Sequence, residues 1–189
     1  MRKLVEATFV SLDGVVGSPE KWALPYWDAE NKDYALSRLS DFDAFLLGRV
    51  TYEKFAASWS QIKGDAYFDR INSLPKFVPS TTLRETTWNA TLIKGDVADE
   101  ISKLKNRSGK NIMKYGTGQL DRTLIEHNLI DEFHFSLFPL IVGSGQRLFE
   151  GIDTTHLKLK LTGTTKFSNG IVVLTYAPTG TSPAPGVRA

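Results

Sequence analysis

Leu47-Gly48-Arg49-Val50-Thr51-Tyr52-Glu53 follows the apolar run Phe45-Leu46-Leu47 and opens a segment of helical character. It reads as a buried strand, a glycine turn and the start of a helix. Glycine lets a backbone come close to a ligand. The first free N–H groups of the helix, with an arginine and a hydroxyl beside them, suit a phosphate. A second turn of this kind, Lys114-Tyr115-Gly116-Thr117-Gly118-Gln119, follows Ile112-Met113. Two strand-turn-helix anion sites in one short chain predict a dinucleotide held at both ends.

Outward from these turns, strand and helix signals alternate. Val5 to Val10 reads as a first strand that ends in the turn Ser11-Leu12-Asp13-Gly14, and residues 14 to 27 read as a long loop. Asp28 reads as the N-cap of a helix reaching about Leu39. Ala44 to Leu47, Lys76 to Val78, Thr91 to Ile93 and Asn111 to Met113 read as short strands. Helices are predicted from Val50 to Ser58, over 65–73, from Asp96 to Lys105 and from Gln119 to His127. Glu132 to Ile141 is apolar and β-rich. Leu157 to Lys166 and Ile171 to Tyr176 read as a closing hairpin across Ser168-Asn169-Gly170. The pattern predicts an α/β fold, a central mostly parallel sheet with an antiparallel C-terminal edge and helices on both faces. Residues 1–177 form one domain. From Pro178 the composition collapses to Pro, Gly, Thr, Ser and Ala, and 178–189 are expected to be a disordered tail.

The 189 residues suffice for one large core, and 41% hydrophobic with 23% charged residues is a globular composition. A net charge of +2 without blocks of like charge gives no nucleic-acid surface. Lys103-Leu104-Lys105-Asn106-Arg107 reads as a solvated helix end. There is no cysteine, so disulfides and thiol chemistry are excluded. The three histidines have no ligand spacing, and no metal is expected. Neither a signal peptide nor an apolar run of about 18 residues is present, so a cytoplasmic location is expected and no membrane partner.

Gly48-Arg49-Val50-Thr51-Tyr52-Glu53 resembles the Gly-Arg-x-Thr-aromatic-Glu motif of dihydrofolate reductases. Ser80-Thr81 after a strand resembles the serine turn that receives the adenosine ribose phosphate in that superfamily, and Tyr115-Gly116-Thr117-Gly118 its later glycine turn. Ser11-Leu12-Asp13-Gly14, Leu129-Ile130-Asp131-Glu132, Pro139 and Gly143-Ser144-Gly145-Gln146-Arg147-Leu148-Phe149 are closer still to a bacterial subgroup of dihydrofolate-reductase-like proteins. That subgroup is related to the reductase domain of riboflavin biosynthesis. The resemblance spans roughly residues 3 to 177 and implies a dihydrofolate-reductase-like fold, NADPH binding and a homodimer. It implies hydride transfer to a small heterocycle, pterin-like or ribosylaminopyrimidine-like.

On this reading Gly116, Thr117 and Gly118 offer N–H groups to the pyrophosphate, while Gly48, Arg49 and Thr51 hold phosphates from the other side. Position 121 is Asp, so the third glycine of the dinucleotide fingerprint is missing. Ser80 and Thr81 are turn formers or hydroxyl donors to a 2′-phosphate, which favours NADPH over NADH. Asp13 and Asp28 are the candidate acids for proton delivery; Asp28 equally suits a helix cap and Asp13 a turn. Trp22, Tyr26 and Trp27 are lid packing or stacking faces for a flat substrate. The Gly143-Ser144-Gly145 turn is expected to bring Phe149 to the same pocket. Two departures stand out. Leu74-Pro75-Lys76-Phe77-Val78 lacks the arginine that would grip a folate glutamate, and the first-strand motif begins almost at Met1, so no deaminase domain is expected before it. The alternatives are a nucleotide-binding module without turnover and a binder of another flat ligand such as a flavin or an antifolate.

Overall fold

The computed structural model describes residues 1–179. Eight strands form one sheet: β1 (Leu4–Ser11), β2 (Phe42–Leu46), β3 (Lys76–Pro79), β4 (Ala90–Ile93), β5 (Asn111–Tyr115), β6 (Glu132–Phe138), β7 (Leu159–Lys166) and β8 (Val172–Pro178). Their spatial order is β4-β3-β2-β5-β1-β6-β8-β7. The first six run parallel; β8 is antiparallel to β6, and β7 to β8. Five helices connect them: α1 (Ala29–Leu39), α2 (Arg49–Ser58), α3 (Ala66–Ser73), α4 (Val97–Asn106) and α5 (Gln119–Glu126).

Alternation along the central strands divides the core. Leu4, Ala44, Leu46 and Ile112 face α4 and α5, whereas Val5, Phe45 and Met113 face α1, α2 and α3. Strands buried on both sides read as continuous apolar runs, which is why they were legible as short strands. The predicted mostly parallel sheet, antiparallel edge and two helical layers are all present.

Three details differ from expectation. The strand predicted to Ile141 ends at Phe138, because Pro139 cannot donate to a ladder. The basic stretch at 103–107 is not wholly solvated. Lys105 is 4% exposed and binds the Leu129 carbonyl at 2.7 Å and Asp131 at 2.6 Å, tying α4 to the approach to β6. Strand β8 runs through Pro178, and the Thr179 N–H donates to Lys158, so regular pairing passes the predicted boundary at 177. The rest of the expected tail, 180–189, lies outside the described residues.

Candidate functional site

The chain leaves β2 through α2 on one face of the sheet and leaves its neighbour β5 through α5 on the other. Such a reversal opens a crevice at the carboxyl ends of the strands, where open α/β sheets bind ligands. Both glycine turns lie here and touch. A Cβ added at Gly48 would meet Leu120 of α5 at 3.9 Å, and one at Gly116 would meet the Thr51 hydroxyl of α2 at 3.2 Å. Gly116 also has φ +73°, a left-handed conformation that excludes most residues. Gly48, at φ −63° and ψ 151°, has ordinary backbone, so the fold itself does not require glycine there. A Cβ at Gly118 would meet no protein atom within 4 Å.

The donors at this crevice are only partly committed. No side chain caps the start of α2. Thr117 Oγ1 is buried without a hydrogen-bond partner, an arrangement that costs about 1–3 kcal/mol unless something else satisfies it. Arg49 pairs with Glu53 at 2.8 Å, with the two side chains 45% and 47% exposed. An exposed i,i+4 pair is worth only about 0.3–0.5 kcal/mol, less than a well-placed hydrogen bond to a charged group such as a bound phosphate, at about 1.5–3 kcal/mol. Ser80, just past β3, accepts from the N–H groups of Leu83 at 3.0 Å and Thr82 at 3.2 Å, and its hydroxyl lies 3.4 Å from that of Thr82. Thr81 beside it is exposed. Strand β3 lies beside β2, so Ser80, Thr81 and the Gly48-Arg49-Thr51 turn share one edge of the sheet. Of the three N–H groups expected to face a pyrophosphate, that of Gly116 donates to the Ala7 carbonyl at 3.1 Å and that of Gly118 to Asp121 Oδ2 at 2.6 Å, which leaves the Thr117 hydroxyl and the start of α2 to receive an anion.

Both candidate acids are committed elsewhere. Asp28 caps α1 by accepting from the Asn31 N–H at 3.0 Å, and its second oxygen accepts from Asn169 Nδ2 at 3.0 Å. Asn169, at the tip of the β7–β8 hairpin, also donates to the Tyr26 carbonyl at 2.7 Å. Asp13 accepts from Ser11 Oγ at 2.7 Å, Gly143 N–H at 2.8 Å and Val142 N–H at 3.1 Å. Those bonds, that from Ser11 foremost, pull its carboxyl down to about 2, so it is ionised across the neutral range. The Ser11-Leu12-Asp13-Gly14 turn and the glycine loop after β6 are thus two halves of one clasp. The Leu148 N–H donates to the Gly14 carbonyl at 2.9 Å, and Gly145 (φ +129°) passes so close to Val15 that a Cβ would meet it at 3.0 Å.

The aromatic residues do not converge as expected. Trp22 and Tyr26 set their rings edge-on to Phe138, and Trp27 packs between Phe9 and Tyr67. Phe149 instead sits on the opposite face, edge-on to Phe133 and Phe135 in the α4/α5 layer. Alternation along β6 separates them, because Phe133 and Phe135 point one way and Phe138 the other. The wall at Trp27 continues through residues not singled out from the sequence. Tyr67 contacts Trp59, Trp59 stacks on Phe55 at 3.6 Å, and both meet Tyr115 beside the glycine turn. The i,i+4 spacing of Phe55 and Trp59 across the end of α2 was the available signal. The Tyr67 and Tyr115 hydroxyls are 3.3 Å apart, and burial pushes Tyr115 up to about 12. Among the described residues, no cluster of three metal-ligating side chains occurs and no helix is long and apolar enough to cross a membrane.

The model of the RibD C-terminal domain matches residues 2–173. The chain belongs to that family. Two Bacillus subtilis relatives, the uncharacterized proteins YyaP and YwjB, are each 29% identical. The alignment with YyaP covers 93% of this chain and 94% of YyaP; that with YwjB covers 90% and 95%. A putative riboflavin biosynthesis protein from Shewanella sp. PV-4 superposes with a TM-score of 0.76 at 22% identity, covering 94% of this chain and 99% of that one. A dihydrofolate reductase from Enterococcus faecalis, solved with NADP(H), superposes at 0.62 with 15% identity over 94% and 97% of the two chains. The RibD C-terminal family and dihydrofolate reductase thus share this fold, and the family is of reductase type.

Proposed function

We propose that this chain is an NADPH-dependent reductase of a small, flat heterocycle, pterin-like or ribosylaminopyrimidine-like, acting in the cytoplasm as a homodimer. The observation that carries it is the pair of glycine turns meeting across the β2/β5 crevice, with the Thr117 hydroxyl buried and unpartnered between them. Thr117 donates to the pyrophosphate, which Gly116 and Gly118 let approach for want of side chains, Gly48, Arg49 and Thr51 close it from α2, and Ser80 and Thr81 take the 2′-phosphate. The bound dinucleotide supplies hydride. The protein contributes placement in dry surroundings: the wall of Trp27, Trp59, Phe55 and Tyr115 offers a stacking face. Asp13 and Asp28 support this site by holding its loops, and the protonated Tyr115 hydroxyl can donate to a heteroatom of the heterocycle. The dimer reading is supported by the edge strand β7, which exposes Leu161.

Titration with NADPH and NADH, followed by nicotinamide fluorescence, tests the cofactor. Micromolar NADPH binding that Arg49→Ala weakens about tenfold, the loss of one charged hydrogen bond, is the expected result; no binding of either nucleotide overturns the reading. The commitment of Asp13 and Asp28 favours a second reading, a nucleotide-binding module without turnover. NADPH binding combined with inertness toward every pterin and aminopyrimidine offered would select it.

A further inference from the structure

Beneath the second glycine turn lie three buried ionisable side chains. Glu6 of β1 and Asp121 of α5 are 0% exposed and Lys114 of β5 is 2% exposed. The β1–β5 register sets Glu6 beside Lys114, and alternation points both toward the face that α5 covers. Lys114 Nζ pairs with Asp121 Oδ1, lies 3.2 Å from Glu6 Oε2 and donates to the Gly116 carbonyl. Asp121 Oδ2 accepts from the Gly118 N–H at 2.6 Å. One cluster therefore grips Gly116-Thr117-Gly118 at both ends.

The cluster is expensive as a source of stability. Buried ion pairs are often no better than apolar packing of the same volume, and neither Glu6 oxygen has a well-directed hydrogen-bond partner. Burial, against the pull of Lys114, pushes the Glu6 carboxyl well above the usual carboxylate range. Burial alone would depress Lys114, but Glu6 and Asp121 outweigh it and hold the ammonium charged. Asp121 occupies the place where a dinucleotide fingerprint carries its third glycine, whose role is close helix–strand packing. Here a salt bridge from the helix to the strand takes that role.

We propose that Lys114 and Asp121 are positioning residues for phosphate binding, a buried pair that holds the Gly116-Thr117-Gly118 turn in the shape that receives a pyrophosphate. This rests on the nucleotide reading above. The test compares the wild type with Lys114→Met, Asp121→Asn and Glu6→Gln, using NADPH and adenosine 2′-phosphate, which lacks the pyrophosphate. Lys114→Met and Asp121→Asn should weaken NADPH about tenfold or more and leave adenosine 2′-phosphate unchanged. Glu6→Gln, an isostere at a side chain that does not touch the turn, should change neither by more than about twofold. Equal weakening of both nucleotides, or weakening of neither, overturns the proposal. Amide exchange at 116–119 provides a second reading without nucleotide, expected to be about tenfold faster in Lys114→Met. If Lys114→Met fails to fold, the isosteric Asp121→Asn carries both measurements. If the wild type binds no nucleotide, the reductase reading falls separately, and unchanged exchange in the variants would then overturn the positioning role.

Discussion

Asp13 shows how one side chain changes meaning once its partners are known. Three hydrogen bonds hold its carboxyl at about 2, against an ordinary 3.8. A depressed carboxylate contributes stability that is present above the unfolded value and lost as pH falls through the folded one. Asp13→Asn should therefore lower Tm at pH 7, and the acid loss between about pH 4 and 2 should shrink in the variant, as a pH series of thermal melts would show. Lys76 gives the same slope for the opposite reason, because the fold disfavours its charged form. It is wholly buried, donates to the Ile71 carbonyl at 2.7 Å at the end of α3 and lies over the Trp88 ring at 4.1 Å. Burial lowers it from 10.5 to about 8. Across that window the folded state binds fewer protons than the unfolded one, so stability rises with pH. The difference between wild type and Lys76→Met in denaturant melts from pH 8 to 10.5 should show that rise; a flat difference would rule it out.

At the scale of elements, the two glycine turns look alike in sequence but differ in constraint. Gly116 is left-handed and presses on Thr51; Gly48 is extended and caps α2. Gly116→Ser should cost about 1–2 kcal/mol of stability and lose NADPH as well. Gly48→Ser, which keeps a favoured cap, should hold stability to within a few tenths of a kcal/mol, about 0.5 at most, while blocking close approach of a phosphate. Denaturant melts beside nucleotide titrations separate the two outcomes. If Gly48→Ser binds NADPH normally, the first turn is not a ligand contact. Element identities were legible because the central strands are short apolar runs, the closing pair flanks an Asn-Gly turn, and the helices carry a cap or a periodic face. The strand end at Phe138 was not, since Pro139 sits inside an otherwise continuous apolar pattern.

For the whole molecule, ligand binding is linked to folding. A nucleotide at about 100 times its Kd adds about 2.7 kcal/mol to the native state, which for a domain of this size raises Tm by roughly 5–10 °C. NADPH should produce that shift and NADH a smaller one; identical melts with and without either would argue against a site in the crevice. The crevice itself is a property of strand order. It exists because β5 inserts between β2 and β1 after the chain has already passed outward to β4.

The sequence by itself determined the order of elements, the parallel sheet with its antiparallel edge and the two glycine turns, because these depend on periodicity, caps and residues a few positions apart. Only the tertiary structure decided the long-range bonds of Asp13 and Asp28 and the place of Phe149, although the cap at Asp28 was legible. Ser11 and the Asn31 cap are local, but the other two partners of Asp13 lie 129 and 130 positions away and Asn169 lies 141 from Asp28, distances over which local pattern carries no signal. The face on which Phe149 packs follows from the pleat of β6, and the Lys114–Asp121–Glu6 cluster from a register between β1 and β5 that only the folded sheet establishes.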